Sequence, residues 1–163
     1  MTYTFGTRSK KNLETVHPDL VKIMNLAISW SPTDFGIHAG GRTVNQQLEY
    51  FDDGKSKINP KSFRSTEALA KKAKHVTAPN TKYSLSRAVD FHISETVPGK
   101  NLTWDRTHMA IVIGVILSAG KYLYEKGEVK YKIRSGGDWN TDGVFIYDQN
   151  FLDMPHIEMI GYN

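Results

Sequence analysis

Two stretches of the chain place carboxylates and a histidine where they could do chemistry. Asp90 lies inside the apolar run Ala88-Val89-Asp90-Phe91. A carboxylate there is costly unless it is paired or binds a metal. Near the C-terminus stands Asp153-Met154-Pro155-His156-Ile157-Glu158. Residues three apart face opposite sides of a straight strand, but a bend at Pro155 can turn Asp153 and His156 to one site. Such a set suits metal binding or acid–base work. It suits a hydrogen-bonded structural carboxylate and a satisfied core histidine as well, and spacing alone leaves these readings open. Other chemistries have less to stand on. The chain has no cysteine, so thiol nucleophiles, thiolate metal sites and disulfides are excluded. It has no G-x-S-x-G elbow and no His-Glu-x-x-His. Gly40-Gly41 and Gly136-Gly137 are isolated pairs that read as turns, not as a phosphate-binding loop.

The elements that must hold these residues follow from periodicity. Pro18 can open a helix, and Leu20, Ile23, Met24 and Ala27 continue it at helical spacing to about Ser29. Phe35–Ala39 alternates as a strand before Gly40-Gly41. Thr43 can cap a helix that stops at Gly54. Ala88–Ile93 reads as a strand. Trp104–Glu125 is the strongest helical segment, with Met109, Val112, Ile116, Ala119 and Leu123 as its stripe. Lys130–Arg134 and His156–Ile160 read as strands, and Val144–Tyr147 as a short apolar piece. Gly54–Ser65 and His75–Lys82 read as loops. Helices and strands mix without a strand–helix–strand rhythm, which predicts an α+β fold in one domain over 1–163. The expected architecture is a small, mainly antiparallel sheet packed against the two long helices.

Composition bounds the function classes. With 163 residues, 39% apolar and 23% charged, the chain fits a globular domain and excludes collagen-like, coiled-coil and disordered classes. The net charge of +4 favours polyanions, an anionic cell wall among them. The lysines are dispersed with no basic–aromatic interleaving, so a nucleic-acid partner is not expected. The N-terminus has no apolar core, and Met109–Ala119 falls short of the roughly 20 residues of a membrane span. The expectation is a chain held in the cytoplasm, without a membrane partner.

Four blocks, in order along the chain, then resemble one family. The first is Phe5-Gly6-Thr7-Arg8-Ser9, Leu13 and Val16-His17-Pro18-Asp19-Leu20. The second is Asp34-Phe35, Gly41-Arg42-Thr43, Gln46-Gln47 and Gly54-Lys55-Ser56-Lys57. The third, Thr81-Lys82-Tyr83-Ser84-Leu85-Ser86-Arg87-Ala88-Val89-Asp90, falls on an S-x-H-x-x-G-x-A-x-D motif. The fourth is Gly136-Gly137-Asp138-Trp139, Asp142-Gly143 and Asp153–Glu158. Together they are similar to phage-type L-alanyl-D-glutamate peptidases, zinc endopeptidases related to D-Ala-D-Ala carboxypeptidases and dipeptidases. The resemblance implies a fold like that of D-Ala-D-Ala peptidases and Hedgehog domains.

It also implies site residues. Tyr83, Asp90 and His156 fall on the zinc ligands, leaving one position open for water, as catalytic zinc requires. Asp153 falls on the general base, and Arg42 on a basic residue that faces substrate and helps stabilise the oxyanion. Position 83 departs from the family, which has His there; Thr81 and Ser86 replace its Ser and Gly. A phenol, with a pKa of about 10, must lose its proton to bind zinc. Three outcomes follow. Tyr83 ligates as phenolate; or zinc is held by Asp90 and His156 with a recruited donor, for which His92 shares a strand face with Asp90; or the metal is weak or absent. The implied function is a Zn2+-dependent peptidoglycan endopeptidase, a monomeric endolysin cleaving L-Ala-D-Glu. It would wait in the host cytoplasm for a holin to open the membrane. The alternative is a catalytically silent relative that binds peptidoglycan or forms part of a phage particle.

Overall fold

The computed structural model describes residues 2–162. Helix α1 (Thr7–Leu13) leads into α2 (Pro18–Trp30), whose N-terminus is capped by the His17 side chain with Pro18 in the first turn. Strand β1 (Phe35–Ala39) follows, then α3 (Val44–Asp52). Thr43 and Gln46 close a capping box at the start of α3, each satisfying a backbone N–H of the other. A short 3-10 turn at Pro60–Ser62 precedes α4 (Thr66–Lys72). Strand β2 (Ala88–Ile93) is followed by the small hairpin of β3 (Thr96–Val97) and β4 (Lys100–Asn101). Asp105 caps the long α5 (Arg106–Glu125), and β5 (Lys132–Gly136) and β6 (Asp153–Ile160) complete the chain.

The main sheet has the order β1-β2-β6-β5, and every neighbouring pair is antiparallel. Helix α5 packs across β2, β5 and β6, and α2 lies mainly against α5. The expected stripe of Met109, Val112, Ile116, Ala119 and Leu123 is buried, together with Leu20, Ile23, Met24 and Ala27 of α2. Each large apolar side chain so buried is worth about 1.5–3 kcal/mol. By length and composition α5 could cross a bilayer; here its apolar face forms the core. The piece Val144–Tyr147 forms no strand; it belongs to the connection between β5 and β6, where Phe145 and Ile146 cover the core edge. Helices α1 and α4 lie where no apolar periodicity marked them.

Alternation along the strands sorts the sheet into two faces. Val89, Phe91 and Ile93 turn into the core, so Asp90 and His92 turn the other way. On β6, Ile157 and Met159 are core, and His156 and Glu158 share the opposite face. Asp90 is directly across from His156 in the β2–β6 ladder, and Arg134 across from Glu158 in the β5–β6 ladder. The expected bend at Pro155 is a bulge: Ser135 pairs with Ile157, yet the next residue, Gly136, pairs with Asp153. Gly136 has to be glycine, because a Cβ there would run into the Asp153 carbonyl.

Candidate metal centre and its cleft

Three side chains from three segments meet above the sheet: His75, Asp90 and His156. His75 Nε2 is 3.1 Å from Asp90 Oδ1 and 3.2 Å from His156 Nδ1, and His156 Nδ1 is 3.1 Å from the same Asp90 oxygen. His75 belongs to no helix or strand, but its segment is pinned on both sides. Arg42 donates its N–H to the His75 carbonyl and accepts from the Thr77 N–H, while Arg87 donates to the Lys74 carbonyl. Both histidines are oriented by their second nitrogens. His75 Nδ1 donates to the Gly40 carbonyl at 2.7 Å, and His156 Nε2 to Glu158 Oε2 at 3.1 Å. Glu158 is fixed in turn by Arg134, whose Nε and Nη2 donate to Oε1 at 2.9 and 2.6 Å.

This arrangement decides which lone pairs face inward. With their outer nitrogens donating, the two imidazoles present acceptor nitrogens toward a shared carboxylate oxygen. Three electron-rich atoms about 3 Å apart repel unless a proton or a cation sits among them. Metal-ligating histidines typically give their second N–H to a carboxylate or backbone carbonyl, as both do here. Two imidazoles and one carboxylate fit a divalent cation that keeps a position open. Without a cation the proton fills the role. Burial disfavours a charged His156, but its hydrogen bonds to Asp90 and Glu158 prevail and push its pKa up to about 9. Burial of Glu158 is likewise outweighed by His156 and Arg134, which bring it down to about 2. Asp90 is held well below the usual carboxylate range by the two histidines, against its burial.

The structure brings together Asp90 and His156 as expected, and places Asp153 and Arg42 in the same cleft, of about 890 Å³. Burial raises the Asp153 pKa, and the neighbouring charge of Asp90 raises it further. Arg42 is held by a hydrogen bond from Nη1 to Gln47 Oε1 at 2.8 Å and stacks 3.9 Å over Tyr50. Tyr83 is a correction. It lies in a separate small core with Leu69, Ala70, Ala73, Val76 and Ala78, and its ring covers the Arg87 guanidinium at 4.4 Å. His75, which the motif did not mark, stands beside Asp90 and His156 instead. His92 does share the Asp90 face, but its ring is packed over Gly36 and beside His38, outside the group. The signal for His75 was present but weak: it is the nearest histidine before Asp90, displaced by the loop that carries Tyr83. Glu158 and Arg134, which orient His156, had no signal of their own.

Known proteins resemble the chain over nearly its whole length. The pattern of the phage L-alanyl-D-glutamate peptidase family matches residues 1–160. The L-alanyl-D-glutamate peptidase of Escherichia phage T5 is 32% identical over 164 residues, spanning 98% of this chain and 100% of the phage protein. Among solved structures, the Serratia marcescens L-Ala D-Glu endopeptidase ChiX superposes with a TM-score of 0.61 at 24% identity, over 97% of this chain and 90% of that one. At that identity the likeness speaks for the fold.

Proposed function

Because the chain belongs to the phage L-alanyl-D-glutamate peptidase family, we propose that it is a Zn2+-dependent peptidoglycan endopeptidase that hydrolyses the L-Ala-D-Glu bond. The observation that carries the reading is the convergence of His75, Asp90 and His156 beside Asp153 in one cleft. His75 Nε2, Asp90 Oδ1 and His156 Nδ1 would hold the zinc. When bound, zinc supplies Lewis-acid polarisation of the scissile carbonyl and acidifies the attacking water. Asp153 accepts that water's proton at its carboxylate and returns it to the leaving amine. Its raised pKa, caused by burial, makes it a stronger base than a solvated aspartate. Arg42, braced by Gln47 and Tyr50, donates to the oxygen on which charge develops. The silent-relative reading rested on a lost ligand at position 83, and His75 removes that motive. In this reading the protein is a monomeric endolysin, released from the host cytoplasm to the wall through a holin-permeabilised membrane.

The test is release of new amino groups from purified peptidoglycan. Wild-type protein loaded with zinc should expose glutamyl amino termini. Asp153→Asn should lose about 10²-fold or more of that rate while binding zinc at one equivalent. A loaded wild type that exposes no amino groups overturns the reading.

A further inference from the structure

We propose that the cleft contains a carboxylate-reading subsite, built by Arg42, Lys57, Lys71, Lys72 and Lys74, that selects substrates with a free carboxylate on the residue after the scissile bond. This rests on the hydrolytic reading above and adds what the cleft recognises.

The charges lining the cleft are unequal. Two of its cations are engaged: Arg134 by Glu158, and Lys55 by Asp53. The five named have no carboxylate partner among the described residues, although all line the cleft. The cleft's own carboxylates are Asp90, Asp153 and Glu158, and Asp90 and Glu158 are held by the histidines. Substrate therefore meets surplus positive charge, in a concave site that focuses the field.

Two of the cations are placed by packing. Gln47 is 1% exposed and holds Arg42 through Oε1, while its Nε2 donates to Ser56 Oγ and the Ile58 carbonyl. The guanidinium is thus fixed by one donor, which leaves the others to serve the oxygen of the scissile carbonyl and a planar carboxylate beside it, a group Arg reads well. Lys57 Nζ lies 5.1 Å over the Phe151 ring. Phe151 stacks on Trp139, and Trp139 lies against His156 with ring centroids 5.4 Å apart. A continuous aromatic wall therefore runs from the candidate metal group to an ammonium.

The matching chemistry lies in the glutamyl residue. Its amine is consumed in the scissile amide. Its two carboxyls are not, and if the peptide continues through one, the other stays free. Amidation of that carboxyl removes the charge and keeps the shape. The competing account is that Lys71 and Lys72 end α4, where cations suit a helix C-terminus, and that all the lysines simply point to water.

The experiment compares two synthetic stem peptides, identical except that the free glutamyl carboxylate of one is a carboxamide in the other. Binding is measured by calorimetry on the zinc-loaded protein, and cleavage by amine release. The acid peptide should bind about tenfold or more tightly, the scale of one charge-assisted contact. The ratio should shrink between 0.05 and 0.5 M NaCl. The double variant Lys57→Gln/Lys72→Gln should pull it towards one, as should Arg42→Gln. Equal binding of both peptides, or a ratio untouched by these variants, overturns the subsite. Preference for the acid without cleavage of either keeps the subsite and overturns the hydrolytic reading. Cleavage of both at equal affinity does the reverse.

Discussion

Tyr83 and His75 are both buried aromatic side chains, but they serve different neighbours. The Tyr83 ring lies on the buried Arg87 guanidinium, which donates from Nη2 to the Ala70 carbonyl, finds no hydrogen-bond partner among the described residues for Nε and Nη1, and also meets the Tyr162 ring. Its face makes that contact, and its hydroxyl forms no hydrogen bond with Asp90 or His156. Tyr83→Phe should therefore keep zinc stoichiometry and activity near wild type, whereas His75→Ala should abolish tight metal binding, both read by elemental analysis after dialysis. Loss of metal in the Phe variant would return the ligand role to the phenol. Glu158 acts through His156. Replacing it with Gln removes the charge that holds the Nε2 proton, and loss of such a partner costs about 10–100-fold in metal affinity. A competition titration against a chelator reads this directly. His75 was hard to find from sequence because motif spacing is a one-dimensional rule. The loop before Asp90 lets the chain fold back, so a residue 15 positions away reaches the place expected of one seven away.

At the level of elements, what was legible was what periodicity encodes. The stripe of α5, the alternation of β1 and the capped start of α3 were all written in local pattern, and each formed where expected. Strand β6 begins at Asp153, before the Pro155 at which the sequence predicts a bend, and proline forfeits a ladder hydrogen bond. The β5–β6 bulge accommodates it and swings Asp153 away from the regular register. The bridge of Arg42 to Val76, which fixes His75, joins two loops and leaves no periodic trace. The bulge makes a prediction of its own. A Cβ at Gly136 meets the Asp153 carbonyl and the Trp139 ring, neither of which can withdraw freely. Gly136→Ala should cost roughly 1–3 kcal/mol as overpacking does, lowering Tm by about 2–4 °C per kcal/mol. Because the clash bears on Asp153 itself, kcat should fall by more than the folded fraction does. A variant with lowered Tm and unchanged kcat would separate the bulge from the chemistry.

For the whole molecule, the candidate metal group ties together the segment after α4, strand β2 and strand β6, which are far apart in sequence. A cation that binds only when all three are assembled stabilises the fold by mass action, by about 2.7 kcal/mol at 100 times Kd. Zinc should therefore raise Tm by about 5–10 °C at that excess. The effect should depend on pH in a direction set by His156. Its pKa of about 9 in the metal-free fold lies above the ordinary 6.5. A raised folded-state pKa contributes stability that is fully present below about 6.5 and is lost as pH climbs through 9. Glu158, brought down to about 2, contributes stability that is present above its ordinary 4.5 and is lost as pH falls through 2. The metal-free protein should then be most stable between about pH 4.5 and 6.5 and weaken towards pH 9. Zinc held by His156 Nδ1 would displace that proton, so its binding should strengthen over the range in which the proton is lost. The gap in Tm between zinc-loaded and stripped protein should widen steadily from pH 6.5 to 9. Calorimetry in two buffers of different ionisation enthalpy should also show close to one proton released per zinc at pH 7. A gap that stays constant across that range, with no proton released, would mean that His156 is already neutral in the metal-free protein and that the Asp90–His156–Glu158 chain does not store a proton.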